Sequence, residues 1–208
     1  MSRVRPAAPR NPAESPSAWH FGKLTLSADS SWPTAGTRKT GERNNVPRVV
    51  VQGGRLVPVV PSAQVPDWTF SAPLGQQTMV ELPFSETITL AHHLKAKAIQ
   101  SLLNRSALED VRDASSPSPT VVDEFGRAAQ RFELVVRIIQ DGAAKRAGAR
   151  GHDIYAVIAP VVIEAATHLL EPLYQHSGAL ALAESFDPLK LLRALHGREL
   201  KCSETRCC

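Results

Sequence analysis

The chain has 208 residues, with 24 Lys and Arg against 20 Asp and Glu, for a formal charge of +4. That length supports one medium domain with an independently stable core, and the cations are scattered rather than set in a stripe between aromatics, which argues against nucleic-acid binding. No apolar run reaches the ~20 residues of a membrane-spanning helix; the longest, Tyr155–Leu170, is interrupted by Pro160, Glu164 and His168.

Residues 1–30 are rich in Pro, Ala, Arg and Ser without hydrophobic period, and read as a disordered leader. An organelle transit peptide and the remnant of a misread gene start are alternative readings. From Trp32 to Asn44 the chain is polar and punctuated by glycine. It reads as a loop whose amides, hydroxyls and guanidinium groups suit an anion or a phosphate, or equally as plain surface. It matches neither the P-loop nor the dinucleotide fingerprint.

Arg48–Val60 predicts a hairpin turning at Gly53-Gly54, with Pro58 pushing the return strand to a sheet edge. Its apolar residues fall on both faces, so substantial burial is expected. Trp68–Phe70, Thr78–Leu82 and Glu86–Leu90 are short β-prone pieces separated by Pro73, Gly75 and Pro83. Lys95–Leu103 leans to strand, and Leu108–Pro119 reads as a crossing loop.

In the middle of the chain Phe132, Leu134, Val136 and Ile138 alternate with Arg131, Glu133 and Arg137, the period of a strand with one buried face. Asp141-Gly142 suits a two-residue hairpin turn. Paired residue numbers then sum to 283, which sets Phe132 opposite Gly151, Leu134 opposite Ala149 and Val136 opposite Ala147. Large residues over small ones leave a shallow surface for a helix. Glu133 meets Arg150 favourably, whereas Arg137 against Arg146 needs an intervening carboxylate. Ile154, Val157, Ile158, Val161, Val162, Ala165 and Leu169 recur at helical spacing. Asp153 is the expected N-cap, and Pro160 predicts a kink or a restart. Gly178–Glu184 reads as a last strand. Asp187-Pro188 then opens a short helix lined by Leu189, Leu192 and Leu195 and closed by Gly197.

The fold class expected is α+β: a mostly antiparallel sheet with helices packed on one face, over residues 31–200. Residues 201–208 read as an exposed tail carrying Cys202, Cys207 and Cys208. An odd cysteine count in a tail fits a reducing, cytoplasmic setting, with no disulfide framework and no zinc site. A terminal Cys-Cys is also a prenylation signal of transport GTPases, but nothing else here looks like one.

Chemistry-bearing candidates are few. Asp123 and Glu124 are neighbours that diverge, which suits a solvated turn. His92-His93 follows what reads as a strand and points to opposite faces, so no metal pair is expected. His152, Asp153 and Tyr155 gather at a strand-to-helix junction, where free amides and the helix dipole favour ligands. Asp153 as a plain cap is the competing reading. No GxSxG, HExxH, CxxC, P-loop or strand-linked GxGxxG is present.

Four stretches together resemble the saccharopine dehydrogenase-like NAD(P)-dependent reductases, which include trans-acting enoyl reductases. These are Ala35–Asn44, similar to that family's Gly-Gly-Thr-x-x-Ser/Thr stretch but with Ala35 for its first Gly; Pro83–Glu86 with His93; Gly151–Pro160; and Gly178 through Glu184–Asp187. The resemblance runs in order over about residues 31–200. It implies the antiparallel substrate-side domain that pairs with a Rossmann domain and often mediates homodimer formation. It also implies Thr37, Arg38 and Thr40 on the nucleotide side, with Asp153 and Tyr155 at a small-molecule substrate. The family cofactor is NAD or NADP, yet the Rossmann part is not matched. The expectation is therefore a truncated reductase portion, inactive alone and binding no cofactor by itself. The alternative is a non-catalytic dimerisation or binding module. If the portion is truncated, the sheet face that met the Rossmann domain is bare and should make it self-associate.

Overall fold

The period-two and helical patterns resolve into an α+β fold. The computed structural model describes residues 21–28, 33–43, 46–60, 65–196 and 200–207. In chain order come strand β1 (Phe21–Ala28), helix α1 (Ala35–Arg43), and strands β2 (Val49–Gln52) and β3 (Arg55–Pro58). Short strands β4 (Trp68–Thr69), β5 (Gln76–Gln77) and β6 (Met79–Glu81) precede helix α2 (Glu86–His93), strand β7 (Ala98–Asn104) and helix α3 (Arg105–Arg112). The long strands β8 (Arg131–Gln140) and β9 (Ala143–His152) lead to helices α4 (Ile154–Leu169), α5 (Leu182–Ser185) and α6 (Pro188–Leu195), and strand β10 (Lys201–Cys207) closes the described chain.

The main sheet runs β10-β9-β8-β1-β7-β2-β3, with β6 on the second half of β7. Only β1 and β7 pair in parallel among the described strands. The β8–β9 register is the expected one, from Arg131 opposite His152 to Gln140 opposite Ala143. Asp141 and Gly142 make the turn at φ 50° and 80°, values that this residue pair reaches at low steric cost.

Side-chain parity divides the sheet into two faces. Through the register of β1 with both neighbours, Phe132, Leu134 and Val136 share a face with Ser101 and Ile99, and Ile99 continues it to Val51. Helices cover this face. Phe132 packs with Val157 of α4, Leu191 and Leu195 of α6 and Leu200, while Leu90 and Ala91 of α2 pack on Val51, Ala96 and Ile99. The buried Thr87 hydroxyl meets Ser101 Oγ at 3.4 Å and fixes α2 to β7. On the other face Val135 and Leu102, both 0% exposed, pack with Met79, Phe70 and Leu74 under the small β4–β5 sheet. Strand β8 is thus buried on both faces over Phe132–Val135, not on one as its alternation implies.

Several expectations give way to tertiary context. Trp32–Asn44 is not a loop from Ala35 onward: Thr34 Oγ1 accepts the amide of Thr37 (3.2 Å), caps the chain and starts α1 despite Gly36 and Gly41. The β-prone Glu86–Leu90 is helical, because Leu90 and Ala91 gain a buried seat only at helical spacing. The first half of the expected crossing loop is α3. The final strand expected at Gly178–Glu184 is instead the single turn α5, whose Glu184 carboxylate accepts the amide of Ala181 at 2.8 Å. Helix α4 runs through Pro160 without restarting. Its expected apolar face is split: Ile154, Val157 and Val161 pack inward, whereas Ile158, Val162 and Leu169 are exposed. In α6 the buried leucines are Leu191 and Leu195, and Leu189 and Leu192 face out; the expected stop at Gly197 lies outside the described residues.

Both termini are also revised. Within the expected leader, residues 21–28 form β1 between β8 and β7, in the middle of the sheet; residues 1–20 lie outside the described set. The expected cysteine tail is the edge strand β10 on β9, where Cys202 stands opposite Ala149 and packs against the Phe132 cluster. Cys207 ends β10, and Cys208 is outside the described residues.

Candidate functional site

Strand β7 ends, β8 begins and β9 ends at one end of the sheet, and the chain segments that follow place α1, α3 and the start of α4 there. Asp153 organises this junction. It takes φ 49°, a left-handed conformation that Asp tolerates better than most residues. One carboxylate oxygen accepts the amides of Tyr155 (3.0 Å) and Ala156 (3.1 Å), and the other accepts the amide of Ala128 (2.8 Å). Its own amide donates to the carbonyl of Gln130 at 2.7 Å. At 7% exposure, with both oxygens engaged by backbone amides, Asp153 is a cap and a clamp between α4 and the entry to β8.

That clamp presents Tyr155. Its phenol oxygen accepts the hydroxyl of Thr37 at 3.1 Å, and the Thr37 hydroxyl lies 3.1 Å from that of Thr34. The chain therefore brings together two residues 118 positions apart. A phenol that accepts one hydrogen bond keeps its own proton to donate. The chemistry available here is donation to an oxygen lying over the junction.

The remaining residues expected on the nucleotide side do not join Thr37 in an open site. Arg38 extends to the carbonyls of Asp113 (2.6 Å) and Ser116, tying α1 to the segment after α3. Thr40 donates to the carbonyl of Gly36 at 2.9 Å, within its own helix. With the amide of Thr37 also capped, the start of α1 offers none of these groups to a phosphate. These residues do not fit a nucleotide as they stand.

The other candidates have local roles. Asp123 closes a turn by accepting the amides of Phe125 and Arg127 and pairing with the Arg127 guanidinium at 2.8 Å. The Arg127 amide, above all, holds its carboxyl below the usual range. His92 and His93 stand on α2, not after a strand; His92 contacts Glu184 at 3.2 Å and His93 the carbonyl of Thr89 at 2.7 Å. Glu184 is held low chiefly by the Ala181 amide and then by His92. No group of three His, Cys, Asp or Glu residues suited to a metal ion occurs among the described residues.

Sequence reasoning missed a second feature at the same end of the sheet. A cavity of about 300 Å³ lies between the Ser71–Leu74 turn and the face of the sheet that carries Arg131, Glu133, Arg150, His152 and Lys201. Glu133 is buried at its floor; its carboxylate accepts the Ser71 amide at 2.9 Å and pairs with Arg146 at 3.6 Å. Arg146 also lies over the Trp68 ring at 5.6 Å. Glu133 thus answers Arg146, one of the two opposed arginines, although Arg150 is its partner in register. The signal was present in the pairing sum of 283, which sets Arg131 beside His152. Lys201 was hidden because its segment reads as a tail. No family model matches the chain, and no curated protein matches it. No described helix is long and apolar enough to cross a membrane.

Proposed function

We propose that this chain is the substrate-side domain of a saccharopine dehydrogenase-like NAD(P)-dependent oxidoreductase, with the nucleotide held by a Rossmann domain and not by these residues. The observation that carries this reading is the Thr37–Tyr155 hydrogen bond, because it joins two stretches that resemble the same family across 118 positions. In this reading Tyr155 is the residue that touches substrate. Its phenol donates to a substrate carbonyl oxygen, Thr37 orients it, and Asp153 positions it by capping α4. The setting proposed is cytoplasmic. Titration of the purified chain with NADPH, followed by fluorescence and calorimetry, should show no saturable binding in the micromolar range and no NADPH oxidation. Saturable micromolar binding would overturn the division of labour.

A second reading, a pairing module that forms homodimers, is favoured by the outer face of α4. Ile158, Val162 and Ile163 are 55–66% exposed there, and Leu170 and Leu173 beyond the helix are 83% and 85% exposed. Both faces of β8, by contrast, are covered over Phe132–Val135. Exposed patches of this kind mark contact surfaces. Sedimentation at increasing concentration should show self-association, and Val162→Ser should shift it toward monomer. A strict monomer at high concentration counts against pairing.

A further inference from the structure

We propose that the cavity under the Ser71–Leu74 turn binds a small dianion of the phosphate monoester or dicarboxylate class. This cavity is on the sheet face opposite α4 and Tyr155, so it does not depend on the reductase reading.

Register alone assembles the site. Arg131 stands opposite His152, Glu133 opposite Arg150, and Arg150 opposite Lys201, so three adjacent strands present these five residues on one face. The single carboxylate among them is already answered: Glu133 pairs with Arg146, which lies outside the cavity lining, and accepts the Ser71 amide. Around the cavity this leaves Arg150 and Lys201, a formal charge of +2, with the His152 ring beside them; Arg127, which also lines it, is paired with Asp123. Arg150, His152 and Lys201 form no ion pair with any described residue.

Like charges set opposite one another in a sheet repel. A bound dianion removes that repulsion, and a guanidinium offers a planar fork that matches carboxylate and phosphate oxygens. The volume of about 300 Å³ is at the small end of ligand pockets. It admits a compact metabolite rather than a nucleotide. The Ser71–Glu133 hydrogen bond ties the roof to the floor and keeps the cavity in shape without ligand.

The test is calorimetric titration of the full chain at low ionic strength with inorganic phosphate and, separately, with succinate. Saturable one-to-one binding of at least one anion is expected, and the tighter of the two identifies the source of the charge. Arg150→Gln and Lys201→Gln should each weaken it about tenfold, as loss of one charge-assisted contact does. Lys145→Gln removes the same charge from β9 at a position of opposite parity and should leave binding unchanged, as should Tyr155→Phe. Lys201→Gln is on the edge strand, so it reports even if Arg150→Gln fails to fold. The proposal is overturned if neither anion saturates in the millimolar range. It is also overturned if Lys145→Gln weakens binding as much as the cavity variants, or if both cavity variants bind as the parent does.

Discussion

Strands β8, β9 and β10 have two faces that share one backbone and have opposite chemistry. On the α4 side, Phe132, Ala149 and Cys202 meet Val157, Leu191 and Leu195 in an apolar seam. On the β4–β5 side, Arg131, Arg150, His152 and Lys201 surround a buried Glu133. The seam holds the helices that present Tyr155, and the charged face holds a cavity. Alternation along a strand lets one hairpin serve as scaffold on one side and recognition surface on the other. Each face also has one buried carboxylate in command. Asp153 is satisfied by backbone amides, and Glu133 by one amide and a guanidinium.

The largest test of this contrast is Phe132→Ala. The ring is 5% exposed at the centre of the seam, so its loss should cost about 3–5 kcal/mol in urea unfolding. A cost below about 1 kcal/mol would mean that α4 and α6 are held by something else. Asp153→Ala comes next. It removes a cap and strands the buried Ala128 amide, for an expected loss of about 2–4 kcal/mol. Asp153→Gly should lose less, because glycine takes φ 49° freely, and equal losses would show that backbone strain plays no part.

Glu133→Gln probes the other face. It weakens the pair with a partly exposed Arg146 yet keeps an acceptor for Ser71, so about 1–2 kcal/mol is expected in thermal unfolding. A larger loss than for Asp153→Ala would reverse the ranking of the two carboxylates. The smallest effect concerns acid. Asp123 is held low by the Arg127 amide, so its contribution is present above the unfolded-state pKa and is lost as pH falls through the lower folded value. Asp123→Asn should therefore flatten the fall in unfolding midpoint over the acid range below ordinary carboxylate titration. An unchanged slope would remove Asp123 from the acid response.

Much of the scaffold was legible where local signals agreed. The β8–β9 register followed from Asp141-Gly142 and the alternation around it. The caps Asp153 and Asp187 followed from side chains that accept first-turn amides, and the edge position of β3 from Pro58. The site was legible in part. Tyr155 and Thr37 were both singled out, but their contact spans the whole sheet end and has no local signature. Arg38 looked like a phosphate ligand because its partners are backbone carbonyls, and nothing in the sequence marks those.

By itself the sequence determined the fold class, the central hairpin and the residues of opposite parity along it, since turn chemistry and the two-residue period act within a few residues. Tertiary structure decided which segments joined that hairpin. Strands β1 and β10 carry weak patterns of their own and gain order from hydrogen-bonding partners already in place. Glu86–Leu90 became a helix because a buried seat outweighs β propensity. The cavity exists only once β10 and the Ser71–Leu74 turn reach the hairpin from distant parts of the chain, a juxtaposition that long-range packing alone supplies.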